Sequence, residues 1–219
     1  MKKVARLLFG LFLYSMGLTM CIQANVGLAP WDAFTMGISN VTGISYGNVS
    51  ILTGVVILII VAGFMGEKIG IGTILNTLLI GLMVDIMQSV KLIPFMTNFI
   101  LGTLMLLLSQ VVISFATYFY ISPGLGCGPR DTLMVAIGKL LPNAPIGAIR
   151  GTIEGTVLLI GFLLGAKVGL GTVIAVFGIG FILQYTFKLL KFDIKSVIHE
   201  SIFKTFGNMK KILQASQSE

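Results

Sequence analysis

The chain has 219 residues, 56% of them hydrophobic and only 11% charged, and a net charge of +7. A soluble domain carries about 25% charged residues, so this composition, with a mean hydropathy of +1.00, excludes an ordinary soluble fold and points to a lipid bilayer. The positive balance does not read as a nucleic-acid surface: nine of the fifteen basic residues sit at the two ends (Lys2, Lys3, Arg6, then Lys188, Lys191, Lys195, Lys204, Lys210, Lys211), as cytoplasmic flanks facing anionic lipid would.

The first predicted span runs from about Leu7 to Ala24. Its start, Met1-Lys2-Lys3 before an apolar run, resembles a signal peptide, and Leu18-Thr19-Met20-Cys21 resembles a lipoprotein cleavage box. A small residue should precede that cysteine and Met20 is not small, so the segment is expected to stay as a membrane helix. Gly27-Leu28-Ala29-Pro30-Trp31-Asp32 follows. Proline suits the first turn of a helix, where its missing N–H would be unpaired anyway, and an Asp two residues later complements the positive helix end. The stretch Ala33 to Asn40 then reads as a short helix, because a crossing needs about 20 residues. The second span is about Asn48 to Met65; Gly66-Glu67-Lys68 links it to the third, about Ile69 to Val90. Asp85, near the outer end of the third span, reads as interfacial.

Lys91 and Pro94 mark a boundary. The fourth span covers about Phe95 to Ile121, and Gly126-Cys127-Gly128-Pro129-Arg130-Asp131 opens a second short helix, about Thr132 to Leu141. After Pro142 and Pro145 come the fifth span, about Ile146 to Leu164, a Gly165-Ala166-Lys167 link, and the sixth span, about Val168 to Phe187. From Lys188 onward apolar and basic residues alternate at helical spacing, which predicts an amphipathic helix on the inner leaflet; His199 falls there as a solvated position.

The second half repeats the first. Pro30 and Pro129 stand 99 positions apart, and the same offset carries Gly66–Thr73 onto Gly165–Thr172 and Gly81 onto Gly180. Two blocks at one offset indicate an internal duplication, dividing the chain into repeat one (1–93), repeat two (94–187) and a basic tail (188–219). Three crossings per half reverse direction, so the expected fold is an all-α membrane protein: six transmembrane helices in two inverted three-helix repeats, each with a short re-entrant or interfacial helix. With the N-terminus in the cytoplasm, twelve basic residues (Arg130 among them) fall inside and only Lys91 and Lys167 outside. That asymmetry predicts cytoplasmic termini in a bacterial inner membrane.

Charges within a bilayer are expensive and need a reason. Asp32 and Asp131 either cap their short helices or line a site where two half-helix N-termini meet and favour an anionic group. Trp31 in repeat one is replaced by Arg130 in repeat two: Trp31 stacks on a ligand or sits in an interfacial belt, and Arg130 binds a ligand anion or pairs with Asp131 or Asp32. Arg150 and Glu154 share one helix face at i and i+4, as a structural pair or with Glu154 as a proton-coupling carboxylate tuned by Arg150. Their counterparts are Ile51 and Val55, so the pair belongs to half two alone. Asn48, Ser50, Thr53 and Asn76 add polar atoms to spans two and three. Gly151 with Gly155, and Gly161, Gly165 and Gly169, recur every four residues, a spacing suited to close helix contact. Cys21 and Cys127 read as small packing residues, with no disulfide framework and no metal spacing.

The set Gly27–Asp32, Gly70-Ile71-Gly72-Thr73 with Asn76, Gly126–Asp131 and Gly169-Leu170-Gly171-Thr172 resembles the YczE/YyaS/YitT group of bacterial membrane proteins, closest to the YczE branch, over about residues 5–190. The resemblance implies a multi-span protein of the bacterial cytoplasmic membrane and names no activity. The expected function is transporter-like: a small solute, anionic or zwitterionic, bound between the repeats by Trp31, Asp32, Arg130, Asp131 and Arg150, with Glu154 as the coupling group. The alternatives are a non-transporting membrane partner of another protein, or a substrate-binding subunit of a larger transporter. No enzyme motif, metal or cofactor is expected; the expected partners are the bilayer, a small solute and, given the small size, a second copy in a homodimer, but no nucleic acid.

Overall fold

The computed structural model describes residues 2–192. It is all-helical there: α1 (Lys2–Gln23), α2 (Pro30–Thr42), α3 (Tyr46–Gly63), α4 (Ile71–Ser89), α5 (Phe99–Ile121), α6 (Pro129–Leu140), α7 (Ile146–Leu163) and α8 (Leu170–Leu189). Among the described residues six helices, all but α2 and α6, are long and apolar enough to cross a membrane. At 13 and 12 residues, α2 and α6 reach only about 20 Å, short of the roughly 30 Å hydrocarbon core. The predicted amphipathic tail beyond Phe192, with His199, lies outside the described residues.

Local chemistry sets the boundaries. Pro30 and Pro129 start α2 and α6, three residues earlier than the hydrophobic patterning alone places them, because proline's fixed φ suits the first helical position. Gly43, left-handed at φ 72°, ends α2, a conformation cheap only without a Cβ. Asn98 caps α5 by accepting from the N–H groups of Ile100 and Leu101, so the fourth span begins at Phe99 rather than Phe95.

The repeated sequence blocks meet crosswise. The turn of half one packs on the Gly-x-Gly-Thr of half two: Gly171 N–H donates to Val26 O at 2.9 Å. The turn of half two packs on the Gly-x-Gly-Thr of half one: Gly72 N–H donates to Leu125 O at 2.8 Å. Gly27 and Gly126 both sit near φ +128°, and a Cβ on either would press on Thr172 or Thr73 respectively. Both the backbone angle and the close approach therefore demand glycine there.

Helices α1 and α5 pack closely along each other, α4 flanks α1, and α8 flanks α5. The short helices cross over to the other half: α2 lies on α7 and α6 on α3. The loop after α1, the loop before α5 and the α7–α8 link gather at one end, where Asn25 reaches Met96 and Lys167 Nζ reaches Asn25 Oδ1 at 2.7 Å. Glu67 and Lys139, 2.6 Å apart, and Leu125 with Gly72 lie at the other end. Arg6 stacks on Tyr118, which also packs on Phe192, so both ends of the described chain lie together. Leu52, Ile59, Leu82, Ile100 and Leu159 are exposed on the outer faces, as lipid contact requires.

The halves differ in one joint. In half one, α3 and α4 are in intimate contact: Cβ atoms on Gly47 and Gly81 would collide with the opposite helix, and Asp85 accepts from Ser45 Oγ (2.5 Å) and Gly47 N–H (2.7 Å). Asp85 is therefore a latch on the start of α3, not simply an interfacial charge. In half two, α7 and α8 scarcely touch. Gly151 and Gly155, expected from their spacing to mediate close helix contact, have no described atom beyond their own helix within 4 Å of a Cβ position, and the same holds for Gly180, the counterpart of Gly81. Gly161, by contrast, does make its expected contact, against the Ala33–Phe34 backbone of α2.

Candidate functional site

A cavity of about 220 Å³ lies where the starts of α2 and α6 meet, and every one of the eight helices contributes to its wall. Trp31, Asp32, Arg130, Asp131, Arg150 and Glu154 all line it. Neither short helix has a side-chain cap at its start, so first-turn N–H groups of both helices stay unclaimed by side chains.

Asp32 is buried, and two donors meet on one of its oxygens. Tyr46 Oη donates to its Oδ1 at 2.9 Å, and Arg130 Nη1 donates to the same oxygen at 3.4 Å. The Arg130 guanidinium also lies over the Trp31 ring, 5.2 Å from its centroid, within cation–π range. Positions 31 and 130, where the two turns carry different residue types, thus meet at the cavity. Arg130 belongs to this interior contact and not to an inner loop, as the loop count of basic residues assumed. Trp31 is half-buried in the cavity wall.

Asp131 is placed differently. Its carboxylate is open to the cavity it lines, and its one hydrogen bond is from Tyr120 Oη to Oδ2 at 3.4 Å. Among the described residues no basic side chain lies within ion-pairing distance of it. Arg150 and Glu154 form the expected i,i+4 pair, with Nε donating to Oε1 at 2.7 Å. The Arg150 side chain is 59% exposed and that of Glu154 23%, so this pair faces open space at the gap between α7 and α8. Arg150 has further N–H donors free to bind an anion. The five cavity charges therefore amount to two pairs and one uncompensated carboxylate, Asp131.

The sequence reading did not place Tyr14, Tyr46, Tyr120, Thr77 and Gln110 near the site, although all five face the cavity or hold its charges. Ser50, Thr53 and Asn76 do line it, whereas Asn48 is exposed outside it. Cys21 lies in the wall near Ala29, and Cys127 contacts Thr132 Oγ1 at 3.4 Å. The signal for the missed residues was the repeat itself. Tyr120 aligns with Cys21 and Thr77 with Val176, so polar atoms enter the wall from one member of each pair only.

Residues 1–188 match the model of a protein family described as a family of unknown function (DUF6198). The chain is 31% identical over 189 residues to an uncharacterized protein of Haemophilus influenzae (strain ATCC 51907 / DSM 11121 / KW20 / Rd), covering 86% of this chain and 85% of that one. It is 29% identical over 178 residues to the uncharacterized membrane protein YczE of Bacillus subtilis (strain 168), 81% of each chain. It is 24% identical over 168 residues to the uncharacterized protein YyaS of the same organism, 76% of this chain and 83% of that one. No solved structure matches it.

Proposed function

The chain belongs to the DUF6198 family of unknown function, and we propose that it is a transporter-like protein that binds a small zwitterionic solute between two inverted repeats. One observation carries the reading: a single cavity, lined by all eight helices, gathers both uncapped helix starts and five charged side chains. Its volume, about 220 Å³, is below the roughly 300–1,000 Å³ of sites for drug-sized ligands, which fits a small metabolite. Free donors on Arg150 and on the helix starts suit a carboxylate. Uncompensated Asp131 disfavours a simple anion and suits a positive group.

The inverted arrangement draws support from the crosswise turns and from contacts that recur at the 99-residue offset, with α1–α4 matched by α5–α8 and α2–α7 by α6–α3. In this reading α2 and α6 are half-helices entering from opposite faces, and Lys91 and Lys167 lie outside an inner membrane. The α7–α8 joint supplies the moving part. Half one has its equivalent joint closed on glycines and latched by Asp85; Gln184, at the Asp85 position of half two, is exposed. The state described here is open between α7 and α8, and the alternate state brings Gly180 onto the Ile146–Arg150 stretch of α7, as Gly81 meets Gly47 and Ile51 in half one. A solute carboxylate that takes Arg150 releases Glu154 to carry a proton, which couples binding to protonation.

The test is a thermal-unfolding screen of purified protein against amino acids, betaines, carboxylates and amines. Stabilisation by one or more zwitterions, lost in Arg150→Gln, supports the reading. Stabilisation by carboxylates alone overturns the zwitterion, and no stabilisation by any member overturns the site.

A further inference from the structure

Resting on that cavity reading, we infer that Gly128, Asn76, Asp131 and Tyr120 form a subsite for a primary ammonium group, the positive end of the solute. Three acceptor oxygens converge there. A Cβ built on Gly128 would stand 3.5 Å from Asn76 Oδ1 and 3.6 Å from Asp131 Oδ2, so the two acceptors flank one small space that the missing side chain leaves open. Tyr120 Oη sits on the same Asp131 oxygen.

Asn76 is the independent sign of a ligand. It is only 9% exposed and lines the cavity beside Gly128, yet its side chain has no hydrogen-bond partner among the described residues. Its amide opens onto the cavity rather than into packed protein, so its oxygen is free to accept from a donor arriving there. Asp131 is the one cavity charge that makes no direct ion pair, its only hydrogen bond coming from Tyr120, and a charge at membrane depth favours such a pair. Asn76 offers an acceptor and Asp131 an acceptor with negative charge, and a positively charged donor suits both.

The repeat supplies an internal control. The positions equivalent to Gly128 and Asn76 are Ala29 and Ala175, and both also line the cavity. At the equivalent corner, Ala29 of half one and Ala175 of half two carry methyl groups instead, and the equivalent carboxylate, Asp32, already has Tyr46 and Arg130 as partners. The acceptor corner therefore exists once, at the α6 end. An ammonium carries three N–H donors, matching three oxygens on one wall while the rest of the solute extends into the cavity. A bare metal cation needs ligands on all sides, about six for a hard cation. The described residues hold no group of three His, Cys, Asp or Glu that would supply them.

The test uses purified full-length protein in sodium-free buffer, titrated separately with methylammonium, tetramethylammonium and sodium chlorides, then with the zwitterion from the solute screen. Methylammonium should raise the unfolding midpoint saturably, while tetramethylammonium, which has no N–H, and sodium should not. Gly128→Ala reproduces the half-one residue at an extended backbone position (φ −62°, ψ 158°) with no atom closer than 3.5 Å, so it folds while blocking the subsite. It should weaken methylammonium and zwitterion binding by about tenfold, the loss of one good charged hydrogen-bonding contact. Asn76→Ala should do the same. Equal stabilisation by sodium would overturn the ammonium assignment. A zwitterion that binds Gly128→Ala and Asn76→Ala as tightly as the parent would overturn the subsite and leave the cavity reading standing; no ligand bound at all would overturn both.

Discussion

Gly81 and Gly180 occupy equivalent positions in the two halves, so the same substitution at each isolates the difference between the α3–α4 and α7–α8 joints. A Cβ on Gly81 would stand 2.5 Å from the Gly47 carbonyl oxygen and 2.8 Å from Ile51 Cγ1. The nearer atom is backbone and cannot rotate away, so the helices must separate. Overpacking of this kind costs about 1–3 kcal/mol. At Gly180 no described atom beyond its own helix lies within 4 Å, so that cost is absent. Glycine-to-alanine gains in helix propensity, about 1 kcal/mol in water, apply to both helices and cancel in the comparison. Gly81→Ala should therefore be less stable than Gly180→Ala by about 1–3 kcal/mol, read as the difference in unfolding midpoint of the two purified variants in one detergent. Equal effects, or a larger loss at Gly180, would refute the claim that one joint is closed and the other open.

Three further outcomes follow from the same geometry. Tyr46→Phe removes the 2.9 Å donor to buried Asp32 and should cost about 1.5–3 kcal/mol; Tyr120→Phe, which loses only a 3.4 Å bond to a cavity-open carboxylate, should cost clearly less in the same unfolding assay. Glu154→Gln should change stability by less than about 0.5 kcal/mol, the worth of an exposed i,i+4 pair, while abolishing the pH dependence of solute uptake in proteoliposomes; retained pH dependence would remove Glu154 from coupling. Cysteines placed at Lys91 and Lys167, with Cys21 and Cys127 replaced, should react with an impermeant reagent from outside the cell, and labelling only after permeabilisation would invert the topology.

The helices were legible because each rests on a local cause. Apolar runs longer than about 18 residues gave the six long helices, and Pro30 and Pro129 gave the two short ones. Periodicity placed Arg150 and Glu154 on one face, and their pair forms with the predicted spacing. The glycine reading failed at Gly151 and Gly155, since a small-residue spacing permits close contact without requiring a partner helix to be there. The Asp85 latch was not legible for a related reason: its partners, Ser45 and Gly47, lie about forty positions away, beyond any local pattern. The Arg130–Asp32 contact was one of two pairings the charges allowed, and only the meeting of the α2 and α6 starts at one cavity selects between them. That Trp31 and Arg130 touch was present in the sequence as a mismatch between repeats, but its meaning depends on the two positions meeting in the middle of the molecule.

The most direct test of a solute in the cavity uses Trp31, the single tryptophan of the chain, which lines the cavity beside Arg130. Intrinsic fluorescence of the purified protein should change saturably as the zwitterion is added, at the concentrations that raise its unfolding midpoint, and Arg150→Gln should shift the titration to higher concentration by about tenfold. A solute that stabilises the protein while leaving Trp31 emission unchanged would place the binding site elsewhere and contradict the account.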